Sequence, residues 1–479
     1  MFILAFYTQS ASMEETGEYF DIFITHSIKR SWSDMENREL VRLKWSLILE
    51  LGFAGAYVSI TRGLFIVFLV STGYGVEEIS FVMLISTGLS VIMGVILSRY
   101  QSFISSRIKT KLIAFHGLER LTWLFIPLAN ESSSILILFS IYSIFSVFTS
   151  TFMNVIIYGA LQEKDLKEVL SKRSISGGVS NIVGLILGIF LLAFLQTKDK
   201  FVYIFGLGSL IGLFSTCLVM FLNIQHLEET LSPQNVEKPE KVFTASLFFV
   251  ILMIGGNLLG IVWVPYVMNY LKGPDYLIAS MSLVATMSSV VAALVLGRRS
   301  LKTLRISHVL SSLSSPIILL TTVPSLHLAI SAFNSFVYTG ANFLGNFLFA
   351  EYKSWYGAIR SSVLLVILGN LSIFLAAPIG MIVKEDYVLA FSAVFVITVV
   401  SALFSLFAIP EVSVVSENVA RTYSFIMYRS CLTGYGITVE VSKETIIATL
   451  RLLAIISVLT TLFTIYRVLT VVITETTLI

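Results

Sequence analysis

One arginine stands inside an apolar run: Arg62, within Ser46–Thr72, SLILELGFAGAYVSITRGLFIVFLVST. A helix rises about 1.5 Å per residue, so this run crosses a hydrocarbon core roughly 30 Å thick and carries Arg62 about 24 Å from its start. An arginine at that depth costs on the order of 2.5 to 3.5 kcal/mol on insertion scales. Three arrangements offset the cost: an anionic solute group gripped in bidentate geometry, a buried partner, or a side chain that snorkels or bonds to carbonyls. The other intramembrane charges of the first half are Glu50, Glu119 and Arg120. By the same rise, Glu50 lies about 6 Å in, Glu119 about 12 Å and Arg120 about 13 Å, so depth predicts a Glu50–Arg120 pair. Arg62 then stands about 12 Å beyond the nearest carboxylate. Glu50 and Glu119 are the carboxylates that could carry a coupling proton, and His116, one turn before Glu119, could join such a relay.

Uncharged polar side chains form stripes at helical spacing in three further runs. One presents Ser143, Ser150, Asn154 and Tyr158; a second presents Asn334, Tyr338, Asn342 and Asn346; a third offers Asn257, Tyr266, Asn269 and Tyr270 beside Trp263 and a kinking Pro265. Amides and phenols inside a membrane need partners, so each stripe faces another helix or a wet cavity.

These side chains are carried by a chain of 479 residues that is 56% hydrophobic and 13% charged, with a mean hydropathy of +0.88. No water-soluble domain carries that surface, and the lipid bilayer is the expected partner. The formal charge of +3 is too small for a nucleic-acid protein. Cys217 and Cys431 make no ligand spacing, so no metal is expected. No GxxxxGK loop, HExxH or paired intramembrane aspartates are present, which disfavours an ATP-driven pump and a lipid-acting enzyme, and no cofactor is expected.

Apolar runs predict spans near 46–72, 79–98, 111–129, 134–160, 174–196 and 201–222, then 244–271, 275–297, 304–325, 326–350, 357–383 and 387–409. The expected class is an all-α membrane protein of two pseudo-symmetric six-helix bundles, 46–222 and 244–409. A cytosolic tail, 1–45, precedes them, since MFILAF has no basic region of the kind that opens a signal peptide, and a charged linker with two prolines, 223–243, separates them. A polar segment, 410–444, and a further apolar helix, 445–472, follow; the latter is expected as a thirteenth span, with an in-plane packing helix as the alternative.

Lys and Arg cluster after the second span (Arg99, Arg107, Lys109, Lys111) and after the eighth (Arg298, Arg299, Lys302, Arg305). The positive-inside rule then places the amino terminus and the linker in the cytoplasm of a multi-pass cell-membrane protein. The halves also echo each other: Gly75 and Glu77 match Gly273 and Asp275. Glycines 177, 178, 184 and 188 of the fifth span make a small-residue face suited to close packing across the two-half interface, and Gly206, Gly208 and Gly212 suit packing in the sixth.

In the connection after the second span, Gly94-Val-Ile-Leu-Ser98-Arg99 is similar to the loop motif of the major facilitator superfamily, with Ser98 where the motif has aspartate; Gly297-Arg298-Arg299 repeats the basic end. With the six-plus-six spans and central linker, residues 46–409 resemble that superfamily. The resemblance implies a gating loop at Gly94, Arg99 and Arg298, and a central path lined by the first, fourth, seventh and tenth helices. Its candidate substrate-binding residues are then Arg62, Tyr57, Asn154, Tyr158, Asn257, Tyr266, Asn334, Tyr338 and Asn342. The expected function is secondary transport of a small solute by alternating access, an organic anion being the class Arg62 suits, with or without a coupling ion. A transporter-shaped scaffold or sensor that moves nothing is the alternative, and a partner subunit is left open.

Overall fold

The computed structural model describes residues 39–129, 131–161, 163–195, 197, 199–222, 224, 242–296 and 301–407. Among these, every regular element is helical. The expected segments 1–38, most of the linker, Arg298 and everything from 408 onward, including 410–444 and 445–472, lie outside the described residues.

The first long helix, α1, runs Glu39–Ser71. It is interrupted at Thr61, whose hydroxyl donates to the Tyr57 carbonyl at 2.7 Å. Such back-bonding bends a helix, and here the bend falls immediately before Arg62. There follow α2 (Val76–Arg99), α3 (Ile108–Phe125), α4 (Ser132–Ala160), α5 (Glu163–Phe194) and α6 (Lys200–Met220). After the linker come α7 (Val242–Pro265, continued by one π turn at Tyr266–Tyr270) and α8 (Asp275–Leu296). Next is α9, Leu301–Ser311, broken before a short continuation at Ser314–Leu320. The last two are α10 (His327–Val383) and α11 (Tyr387–Phe407).

Ten stretches of the described residues are long and apolar enough to cross a membrane. The expected third span, now α3, is not among them, because it carries Lys109, Lys111, Glu119 and Arg120.

The 57 helical residues of α10 do not run straight. A straight helix of that length would part its ends by about 85 Å. Yet His327 at its start lies 5.9 Å, ring to ring, from Tyr266, and Tyr387, just past its end, lies 5.2 Å from the same ring. The chain therefore turns back within the run, and α10 serves as two limbs.

Small residues set how closely these helices approach. A Cβ at Gly55 would lie 2.2 Å from the Ser180 hydroxyl, and one at Gly184 would lie 2.1 Å from Ser59 and 2.8 Å from the Ala56 carbonyl. Gly177, Gly184 and Gly188 of α5 thus seat α1 within the first half, which corrects the expectation that they pack across the two halves, while a Cβ at Gly178 would meet nothing within 4 Å. Gly208 and Gly212 of α6 do pack, against Thr61 and against Arg120 and Tyr57. Across the halves, α2 lies antiparallel on the second limb of α10: Gly380 meets Ser80, Gly88 meets Phe374 and Gly94 meets Ile367. The second contact between halves is α5 on α8.

At the end bearing residues 72–75 and 384–387, one apolar core runs through both halves, from Leu64, Phe68 and Val76 to Val262, Tyr266, Ile278 and Phe391. At the opposite end one core is built on Leu47, Leu112, Phe152 and Ile156 and takes in Val363 of the second half, and smaller ones are built on Phe249 and Leu368 and on Leu296 and Phe343. The echoed residues sit at the closed end. Glu77 pairs with Lys384 at 3.2 Å, and Asp275 pairs with Lys200. Each acid follows the matched glycine at the start of a helix and reaches a lysine of the other half, as a duplicated architecture would place them.

Candidate functional site

Between the halves lies a cavity of about 500 Å³, walled by α1, α2 and α4 on one side and by α7 and the second limb of α10 on the other. Arg62 opens onto it and is, among the described residues, the only charged one of its lining. The guanidinium donates to the Ser146 hydroxyl at 2.6 Å and stands 5.2 Å from the centre of the Tyr142 ring, within cation–π range. Among the described residues no carboxylate lies within 4.0 Å of it. It is therefore held by a neutral hydroxyl and an aromatic face, neither of which cancels its charge.

The wall around Arg62 is graded. Ser143, Ser146 and Ser150 of α4 and Thr87 of α2 supply hydroxyls, while Phe65 and Phe139, stacked at 4.0 Å, supply a flat apolar side. The second half contributes Met253, Leu365, Val366, Gly369, Asn370 and Ile373. A Cβ added at Gly369 would meet nothing within 4 Å, so the cavity reaches the α10 backbone there.

The other expected site residues lie elsewhere. Tyr57 is fully buried behind the wall, its ring 4.7 Å from the Arg120 guanidinium. Asn154 and Tyr158 continue α4 beyond the lining, half-buried. Asn257 donates to Ser372 at 2.8 Å, tying α7 to α10. The Tyr266 hydroxyl donates to the Leu319 carbonyl at 3.3 Å near the closed end. Asn334 and Tyr338 border a separate cavity of about 20 Å³ with the buried His308, and Asn342 lies outside both linings. Gly94 packs on Ile367 and Arg99 is exposed at the end of α2.

The charged residues of the first half also sort differently from the depth estimate. Glu50 is 3.0 Å from Arg173 and 3.4 Å from the His116 ring, and Glu119 takes Arg120 at 2.6 Å. This corrects the expected Glu50–Arg120 pair. Depth along isolated helices missed Arg173, a residue of the polar start of α5 that also donates to the Leu47 carbonyl. The cluster holds two carboxylates and two guanidiniums, so it is balanced with a neutral His116, which is bonded to Thr216 at 2.7 Å.

Sequence reasoning missed Tyr142, Ser146, Thr87 and Asn370. Ser146 had a signal: it lies three residues after Ser143 and four before Ser150, on the same helical face. Asn370 had none, being a lone amide among aliphatic residues.

No protein-family model matches the sequence, and no curated protein matches it. Two crystal structures of the nucleoside transporter NupG, one of them a mutant, do match the fold, each with a TM-score of 0.55. They are 16% and 15% identical, cover 77% of this chain, and are themselves covered over 99% and 97% of their length. The chain shares the fold of these transporters. At such identity the likeness extends to the architecture and not to the residues of the site. The cavity occupies the crevice between the two halves of that fold.

Proposed function

We propose that this chain is a secondary transporter of the major facilitator type that carries a small organic anion by alternating access. The observation that carries the reading is Arg62: a guanidinium opening onto the central cavity with no carboxylate within 4.0 Å among the described residues. An unneutralised cation in a membrane interior is costly, and an incoming carboxylate or phosphate removes that cost while gaining bidentate hydrogen bonds. Alternating access is supported by the cavity lying between two helical halves in a fold shared with transporter structures. By the distribution of Lys and Arg, the end bearing residues 72–75 and 384–387 is extracellular and the amino terminus cytoplasmic.

Neutral nucleosides form a second reading, favoured by the fold of NupG and by the stacked Phe65 and Phe139 beside a row of serines. Purified protein in proteoliposomes separates the two. Counterflow of a nucleoside monophosphate or an aromatic carboxylate, lost in Arg62→Gln, supports the anion reading. Counterflow of uridine that Arg62→Gln leaves intact favours the nucleoside, and the absence of any counterflow favours the scaffold.

A further inference from the structure

Among the described residues, the second half offers the cavity one polar side chain, Asn370. Its Nδ2 donates to the Val366 carbonyl, one turn earlier on α10, at 2.8 Å. That bond fixes the amide, because a carbonyl oxygen accepts only from the nitrogen and turning the amide over would set two acceptors together. The Oδ1 atom thus has a determined role: it is an acceptor, and among the described residues nothing donates to it. Met253, Leu365, Val366 and Ile373 around it are apolar, so a ligand or water must supply the donor.

The cavity therefore has two poles on two different halves, a donor with positive charge at Arg62 and an acceptor at Asn370, and Phe65 and Phe139 add flat apolar surface to its lining. We infer that Asn370 is a specificity-determining residue that selects anions bearing a hydroxyl or N–H donor on the side of a flat apolar body remote from the acid group. This rests on the anion reading above and adds to it the requirement for a donor. A solute of this class bridges the halves, bonded to α1 by its acid and to α10 by its donor. An anion without the donor leaves the Asn370 oxygen desolvated and unpaired, and is bound less tightly for that reason.

The test uses two matched series on the full-length protein: benzoate, phenylacetate and 3-phenylpropanoate, and their 4-hydroxy counterparts, which step the donor away from the carboxylate. Binding is read by isothermal titration on the parent, Asn370→Leu and Asn370→Asp. In the parent, one hydroxylated acid should bind on the order of ten-fold more tightly than its plain counterpart. Asn370→Leu should abolish that ratio while leaving the plain acids bound. Asn370→Asp keeps an acceptor oxygen, so it should retain the ratio while weakening every acid, since its charge opposes theirs. Equal affinities throughout both parent series, or an Asn370→Leu variant that keeps the ratio, overturns the inference. Arg62→Gln reports separately on the underlying reading: if the plain acids bind it as they bind the parent, the anion site itself falls.

Discussion

Arg62 and Ser146 meet across the cavity wall at 2.6 Å, the guanidinium of one helix donating to the hydroxyl of another. The bond holds the arginine against Tyr142 and leaves its remaining N–H groups for a ligand. Ser146→Ala should keep the charge and lose the orientation. A charge-assisted hydrogen bond is worth roughly 1.5 to 3 kcal/mol, part of which is regained as the side chain finds other partners, so anion affinity should fall roughly three- to thirty-fold. Titration calorimetry with a tight-binding anion checks it; unchanged affinity would mean that Ser146 does not orient the arginine.

Gly369 and Gly94 lie on opposite sides of the same contact but should respond in opposite ways. At Gly369 a side chain has room, so Gly369→Leu should fold as the parent does while blocking the cavity and abolishing counterflow. At Gly94 a Cβ would come within 2.6 Å of Ile367. Gly94→Ala should therefore destabilise the protein by about 1 to 3 kcal/mol, with much of the loss restored by Ile367→Ala. Thermal melts in detergent read the stability of all the variants.

The buried cluster around Glu50 should serve stability more than coupling. Glu50→Gln leaves Arg173 without its carboxylate in a buried site, a loss of about 3 to 5 kcal/mol for pairs of this kind. A sharp drop in melting temperature, with any residual transport keeping the parent's response to a pH gradient, is the expected outcome. A stable variant that has lost that response would assign the proton to Glu50 instead.

The two ion pairs at the closed end differ in exposure, and their loss should differ accordingly. Glu77 and Lys384 are 45% and 62% exposed, so Glu77→Gln should change little. Asp275 and Lys200 are 14% and 22% exposed, and Asp275→Asn should shift the balance toward the outward-open form by about two- to five-fold, equivalent to about 0.5 to 1 kcal/mol. Cysteines introduced at the closed end and labelled from outside would report the shift as faster modification. Equal rates for both variants would show that neither pair holds this end shut.

Much of the architecture is legible in the residues alone. Long apolar runs between polar connections announce helices, because a backbone in lipid must satisfy its own hydrogen bonds. The echo of Gly75 and Glu77 in Gly273 and Asp275 located two equivalent helix starts before any contact was known. Arg62 was visible for the same kind of reason: a charge within an apolar run needs an explanation whatever surrounds it.

What hydropathy does not encode is which face of each helix meets which neighbour. The polar stripe of Asn334, Tyr338 and Asn342 has the spacing of a lining, yet Asn334 and Tyr338 border a separate small cavity, because the turn of α10 and the packing of Tyr338 on Gly256 orient that face inward to its own half. Tyr57 shares a helix with Arg62 but points behind the wall, since five residues rotate a helix by roughly 500° and so leave the two on different faces.

Sequence by itself determined that this chain lives in a membrane, that its charges are few, and that Arg62 requires a partner. Only the tertiary structure decided that Glu50 takes Arg173, that Arg62 faces a cavity with Ser146 and Tyr142 at its side, and that Asn370 stands on the wall supplied by the other half. The physical reason is one of range: transfer into lipid is fixed residue by residue along the chain, whereas a binding site is fixed by the approach of helices distant in sequence, and that approach is set by small residues and side-chain shapes no linear pattern records.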